Sequence, residues 1–358
     1  MFLALKEMRY SKLRYTLIVG IILLISYAVF MLSGLANGLA MEFRQAIVDW
    51  DSQSVVLSED SNKNLSASQL TETNLDDVTA ANKAPLAIYS GAIGPKNDKT
   101  DITFFGTSQE AFLLPKVTKG TSFKEENDII ISQNLADKGY EIGDTIKIGS
   151  DNIKMTIVGI FPETFYTVSP VIYGSVEDVA TVKYGKDFKS AAKDLPINAI
   201  VTDTEKTKVD AKANPALMAI KTDDFIESLP GYSAQNLTLN SMIYFLFFIV
   251  TAIIGIFMYV MTLQKTSIFG VMKAQGISNK FIINSIIKQS SMIGVLGILL
   301  GFLLAYGTSL ILPSAMPFSV ALNLWLIYSL VLLIVTVIGS LFSIGTVTKV
   351  DPMKAIGG

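Results

Sequence analysis

The 358-residue chain contains no histidine and no cysteine. The first absence removes the commonest general base and the commonest metal ligand together. The second means that no disulfide braces the fold, so each domain must hold itself by its own core. Catalytic signatures are missing too. No G-x-x-x-x-G-K-[ST] phosphate loop occurs, and the nearest stretch, Gly91 to Lys96, has the wrong spacing and no Ser or Thr after the lysine. G-x-S-x-G, H-E-x-x-H and C-x-x-C are absent as well. The carboxylates are scattered, without a paired constellation. No enzymatic activity, resident cofactor or bound metal is expected, and nothing calls for a nucleic-acid partner. An energy source must sit on another polypeptide.

Negative charge is scarce at both ends. Between Glu42 and Glu227 the chain has 19 Lys/Arg against 29 Asp/Glu, a net −10. The remainder has ten Lys/Arg and only Glu7 and Asp351, a net +8. The basic part also holds four long uncharged apolar runs: Thr16 to Ala40, Met242 to Leu263, Ser291 to Leu312 and Val320 to Phe342. Each is long enough to cross a bilayer, which takes about 20 helical residues. The first exceeds a signal-peptide core and lacks a clear small-x-small cleavage site, so it reads as a retained helix. The absence of charge within the runs counts against an ion-coupled carrier.

Lys6, Arg9, Lys12 and Arg14 precede the first run, Lys265, Lys273, Lys280 and Lys288 lie between the second and third, and Lys349 and Lys354 follow the fourth. Four single crossings put all three clusters on one side, the positive-inside arrangement. The expected fold is a plasma-membrane protein with four transmembrane helices, both termini cytoplasmic, and a large extracytoplasmic α+β domain between helices 1 and 2. The expected divisions are 1–41 (amphipathic start and helix 1), 42–240 (external domain with stalk ends) and 241–264 (helix 2). A cytoplasmic loop follows at 265–289, helix 3 at 290–312, an external loop at 313–319, helix 4 at 320–344 and a cytoplasmic end at 345–358.

Within the domain, β-branched and aromatic stretches predict strands at Ser54–Leu57, Leu86–Tyr89, Ile102–Phe105, Asp128–Ile131, Thr145–Ile148, Lys154–Ile160, Val171–Tyr173 and Ala199–Thr202. Helices are predicted at Ser66–Leu75, Gln133–Gly139, Val176–Tyr184 after an N-cap at Ser175, and Asp223–Leu229 after an N-cap at Thr222. The flanks Glu42–Trp50 and Ala234–Ser241 continue the first two membrane helices outward, as a transmitting stalk or as plain linkers.

The loop KTSIFGVMKAQGISNKFIINSIIKQ, from Lys265 to Gln289, puts Ile268, Val271 and Met272 at helical spacing. Gly276 breaks that helix, and Ser278 can cap the next, whose period resumes at Ile282, Ile283 and Ile286. By periodicity this is either an interfacial helix lying on headgroups or a helix docking on a cytoplasmic ATPase.

Three stretches resemble the FtsX/MacB-type family of ABC transporter permeases. GVMKAQGISNKFI resembles the family's G-[IV]-[LM]-[KR]-A-x-G-[AM]-[ST]-x-x-x-[IV] pattern, departing at Ile277. TKVDPMKAI, with Asp351 and Pro352, resembles its x-x-D-P-x-x-A-[LI] ending; locally, Asp before Pro also suits a helix start. The run from Ile129 to Phe161 is similar to its external strand, helix and x-G-D-x-[IV] … V-G-I-[FV] segment. The resemblance implies a homodimer on two cytoplasmic ATP-binding subunits, with ATP and magnesium held there. It also implies movement of stalk and external domain without a central channel. On that basis Ile268, Val271, Met272, Lys273, Gly276, Asp351 and Pro352 are expected to couple to the ATPase.

The N-terminal stretch through VLSEDSNKNLSASQL is similar, within that family, to the Gram-positive haem-exporting permeases. This implies haem, or a related porphyrin, as cargo entering from lipid. Without His or Cys, the axial ligands left are Tyr, Met and carboxylate. The candidates are Phe30, Met31, Met41, Glu42 and Phe43 at the outer end of helix 1, Met242 and Tyr244 at the matching height of helix 2, and Tyr166 in a turn that could face the membrane. Each also has a plain role: packing for Phe30, Met31 and Tyr166, interface anchoring for Met41 and Tyr244, solvation for Glu42. Two other readings stay open. One is a mechanical regulator of a cell-wall hydrolase or a lipoprotein or peptide exporter without a haem site. The other is a membrane-anchored enzyme or receptor without an ATPase.

Overall fold

A computed structural model describes residues 12–95, 99–149, 151–188, 194–313 and 316–342. The helices are α1 (Lys12–Asp49), α2 (Gln133–Ala136), α3 (Val176–Tyr184), α4 (Thr222–Glu227), α5 (Tyr232–Gln264), α6 (Thr266–Ala274), α7 (Asn279–Ser309) and α8 (Leu322–Leu341). The strands are β1 (Ser54–Ser58), β2 (Leu70–Thr71), β3 (Val78–Thr79), β4 (Lys83–Ile93), β5 (Thr100–Gly106), β6 (Lys119–Gly120), β7 (Asp128–Ser132) and β8 (Thr145–Ile148). They continue with β9 (Ile153–Phe161), β10 (Phe165–Tyr166), β11 (Ser169–Gly174), β12 (Pro196–Ile197), β13 (Ala199–Thr202), β14 (Lys208–Val209) and β15 (Leu217–Lys221). Two compact units emerge, one of Leu39–Gln235 and one of Met1–Gly38 with Asn236–Gly358.

In the second of these, α1, α5, α7 and α8 are long and apolar enough to cross a membrane. Helix is the form these runs take because hydrocarbon offers the backbone no outside partner. The third run was expected to reach Leu312, but α7 ends at Ser309, and the fourth begins its helix at Leu322 rather than Val320. The intervening prolines, Pro313 and Pro317, cannot donate to a helical ladder.

Small residues bring the backbones together. A Cβ on Gly297 would meet the Cβ of Ile22 at 2.7 Å, and one on Gly301 would meet the Cβ of Ser26 at 2.8 Å, so α7 lies directly on α1. A Cβ on Gly339 would meet the Thr251 carbonyl oxygen at 2.8 Å, which joins α8 to α5 in the same way. Fully buried Phe30 and Trp325 form an aromatic cluster with half-buried Phe302, ring centroids 5.2–5.5 Å apart. The link before α8 straps across α1. The Ser319 amide donates to the Gly34 carbonyl at 3.0 Å, and the Pro317 carbonyl lies against Gly38, where it would clash with any Cβ.

The Leu39–Gln235 unit is built on an eleven-stranded mixed sheet of order β15-β1-β13-β4-β5-β11-β7-β9-β6, with β10 on β11 and β8 on β9. Most pairs are antiparallel, but β11 runs parallel to β5 and β7 parallel to β9. The central strands are buried almost throughout, as β-branched runs covered on both faces should be. Trp50, just beyond the end of α1, is fully buried and donates from its indole Nε1 to the Tyr173 hydroxyl at 2.9 Å. Its ring also meets Phe105 edge-on. The last turns of α1, with Ala46 and Ile47, thus belong to the domain core.

Three expectations need correction. Ser66–Leu75 is not an α-helix: it is turns, the short β2 and a 3-10 turn at Glu72–Leu75. Its polar side chains bond to backbone instead, Ser68 accepting from the Ser58 amide and Asn74 from the Thr71 amide. Thr222 is the first residue of α4 rather than its cap; the capping position is Lys221, without a side-chain cap bond. Gln133–Gly139 keeps only the short α2, and Gly139 follows it at φ +99°. Ser175 does cap α3, accepting from the Asp178 amide at 3.0 Å.

Candidate functional site

Two places collect the expected functional residues. The first lies in the sheet domain, where α1 passes its apolar run. Here the hairpin between β10 and β11 turns through Thr167 and Val168, both at positive φ (45° and 70°). Such a conformation is costly for β-branched residues, so surrounding contacts must hold it. They are visible: the Thr167 amide donates to the Phe43 carbonyl at 3.0 Å, and the Val168 amide to the Glu42 carbonyl at 2.9 Å. At the hairpin's base the Thr164 hydroxyl donates to the Asp49 carboxylate at 2.8 Å. Phe43 in turn lies 6.0 Å, centroid to centroid, from the ring of Tyr232 at the start of α5. Gly231, at φ +85°, makes the turn into α5 beside the Phe43 ring.

The outcome is a collar. Glu42 and Phe43 are half-buried, Val168 is exposed at the hairpin tip, and Glu163 stands within electrostatic reach of Glu42. A carboxylate at the end of an apolar run, flanked by aromatic rings, can hold an amphipathic planar molecule by its faces and by one oxygen donor.

Not every candidate joins it. Tyr166, expected in a turn that could face the membrane, lies in β10 with its ring edge-on to Phe105 and is only 5% exposed. Burial pushes its phenol above the ordinary range, which opposes the phenolate that metal ligation needs. Phe30, expected toward lipid, is fully buried in the aromatic cluster with Phe302 and Trp325. Met31 is half-buried against the helix core, and Met41 is half-buried on α1. Met242 and Tyr244 are 50% and 63% exposed on α5. Tyr232, Thr167 and Val168 were not among the expected residues. For Thr167 and Val168 the signal lay in the short FPETFYTVSP segment, but a hairpin turn without Gly or Asn carries no recognisable turn code.

The second place is the lysine-rich loop. Helix α6 runs from Thr266 to Ala274, Gly276 adopts φ +85°, and Ser278 caps α7 by accepting from the Phe281 amide. Phe269 is buried against the helix bundle, while Met272 and Ile277 pack partly against it. Ile268, Val271 and Phe281 remain exposed. Lys273 is half-buried in the last turn of α6. The element is fixed by one face and leaves an apolar surface bare on the other. Asp351 and Pro352 lie outside the described residues.

Comparison with known proteins agrees with this architecture. Residues 16–215 match the MacB-like periplasmic core domain, and residues 240–352 match the C-terminal domain of FtsX-like permeases. A permease protein named for hemin transport, HrtB of Staphylococcus haemolyticus, is 29% identical over 361 residues, covering 100% of this chain and 99% of its own. HrtB of Staphylococcus epidermidis (strain ATCC 12228) is 28% identical over 359 residues, with 100% and 99% covered. An uncharacterized ABC transporter permease of Mycobacterium tuberculosis (strain H37Rv) is 24% identical over 367 residues with the same coverage. The solved periplasmic region of MacB from Actinobacillus actinomycetemcomitans covers 54% of this chain and 98% of its own at 11% identity and a TM-score of 0.35. With the two domain matches lying in order along a chain whose described residues include four helices long and apolar enough to cross a membrane, the protein belongs to the FtsX/MacB-type family of ABC transporter permeases.

Proposed function

We propose that this chain is the non-catalytic permease subunit of an exporter that removes haem, or a related porphyrin, from the membrane. ATP and magnesium are handled by a separate cytoplasmic subunit that docks on Ile268, Val271 and the α6–α7 turn at Gly276. Two permease copies work with two ATPases, and both chain ends face the cytoplasm. Conformational work passes along α1 and α5 into the external domain, so no central channel is needed. An amphipathic planar cargo that already partitions into lipid requires extraction only.

The observation that carries the reading is the collar. It joins Glu42 and Phe43 to the Thr167–Val168 hairpin by two backbone hydrogen bonds and places the Tyr232 ring beside Phe43. The exposed aromatic and aliphatic face of α5, with Tyr244, Phe245 and Phe248, offers cargo or a second copy an apolar approach. Two full-length relatives named for hemin transport add support.

The test is a haem titration of the purified full-length chain in nanodiscs, followed at the Soret band. Wild type is expected to bind saturably, and Glu42→Gln to shift the band and weaken binding at least tenfold. A chain that stays colourless after purification from haem-fed cells overturns the cargo assignment. It would favour a mechanical regulator of an extracytoplasmic partner on the same architecture.

A further inference from the structure

The cytoplasmic end of the helix bundle contains a polar knot that the coupling surface does not account for. Tyr15, on the first turn of α1, is 3% exposed, and Gln289, on α7, is 4% exposed. The Gln289 amide nitrogen donates to the Tyr15 hydroxyl. So does the Lys265 ammonium, at 3.4 Å, and that ammonium lies 6.0 Å from the Tyr15 ring centroid. Lys265 is the N-cap residue of α6. One residue back along each chain segment, the Arg14 guanidinium donates to the Gln264 side chain. Adjacent residues of α1 therefore hold adjacent residues at the join between α5 and α6, while α7 grips the same hydroxyl from a third side.

A buried polar group is costly unless its partners are in place. The Tyr15 hydroxyl ties its own helix, α1, to partners on two others, α7 and the join of α5 and α6, so α6 cannot shift alone without stripping hydrogen bonds from a group that water does not reach. We propose that Tyr15 is a positioning residue for the coupling helix. Its hydroxyl locks the start of α6 to α1 and α7, so that displacement of α6 is handed to α1. This deepens the exporter reading and rests on it for the direction of the transmitted motion. The lock itself is a property of this chain alone.

The test exploits the absence of cysteine. Spin labels on Leu13→Cys and Ser267→Cys, both at exposed positions, report the α1–α6 distance in the full-length chain in nanodiscs. A second pair, Leu304→Cys and Leu326→Cys, reports α7 and α8 toward their other ends. Tyr15→Phe and Gln289→Leu are each expected to broaden the first distance distribution about twofold and to leave the second unchanged. The double variant is expected to match Tyr15→Phe, because that substitution already removes the bond that Gln289→Leu takes away. An unchanged first distribution, additive broadening, or broadening of both pairs overturns the proposal. A second readout uses the chain assembled with its ATP-binding subunit, where Tyr15→Phe is expected to keep ATP hydrolysis but lose most export. Export equal to wild type overturns the transmission role. A wild-type chain that recruits no ATPase overturns the exporter reading instead, and leaves the spin-label result standing.

Discussion

Trp50 and Tyr173 meet where the end of α1 is sealed into the sheet domain, and their bond adds to the cost of loosening that seal. Both rings are buried, and the Tyr173 hydroxyl receives the Trp50 indole N–H. Tyr173→Phe keeps the ring but leaves that N–H buried without an acceptor. The expected loss is about 1–3 kcal/mol in chemical denaturation of the domain signal. A charge prediction belongs to the same scale. Glu72 is half-buried, and burial, then the like charges of Glu177 and Asp194, raises its carboxyl above the ordinary value. A raised acid favours the folded state while protonated, and that advantage is lost as pH climbs through the folded pKa. Glu72→Gln does not titrate. Its melting temperature should therefore exceed wild type at pH 7, with the two converging below about pH 4, where wild type is protonated as well. Thermal melts across that range check the sign. Residue chemistry of this kind was only partly legible beforehand. Composition marked Tyr166 as a possible ligand, yet nothing in its neighbours' identities foretells that Phe105, on a strand far earlier in the chain, covers its ring.

At the scale of elements, the glycine seam between α1 and α7 decides whether the bundle closes. A side chain on Gly301 would strike Ser26 and the Leu23 carbonyl, whereas one on Gly307 of the same helix meets nothing within 4 Å. Gly301→Leu is expected to cost about 1–3 kcal/mol by overpacking, with Gly307→Leu near neutral. Thermal unfolding of the two in the same detergent separates packing from helix propensity, since both carry the same exchange. The strap before α8 gives a parallel case. Gly38→Val would drive the Pro317 carbonyl off α1. A cysteine in place of Phe318 should then react faster with maleimide than in the Gly38 background. Elements were legible where one local signal settled them. Long uncharged runs had to be helical, buried β-branched runs such as Ser54–Ser58 had to be strands, and Ser175 capped α3 as its position required. Where side-chain-to-backbone bonds compete with the ladder, as at Ser68 and Asn74, periodicity pointed the wrong way. The edge strand Leu217–Lys221 escaped because its partner β1 lies at the far end of the domain's sequence and the pairing leaves it little burial of its own.

Over the whole molecule, the division of charge did most to make the architecture readable, since it separates a basic helical part from an acidic domain without any motif. It does not identify what either part binds. The loop at α6 carries that question for the ATPase side. Phe269 fixes α6 to the bundle, and Ile268 and Val271 point their apolar surface elsewhere. A charged residue at either exposed position leaves the internal contacts intact, so Ile268→Glu or Val271→Glu should insert and fold as wild type. If the exposed face docks on an ATP-binding subunit, burying the new carboxylate unpaired would cost several kcal/mol. Co-purification of that subunit should then fall by at least tenfold, while the haem titration of the permease alone stays unchanged. The complementary substitution Phe269→Glu strikes the bundle side and should instead lower thermal stability. Undiminished co-purification from the Ile268 and Val271 variants would return α6 to the headgroup plane, as an interfacial helix with no motor to serve.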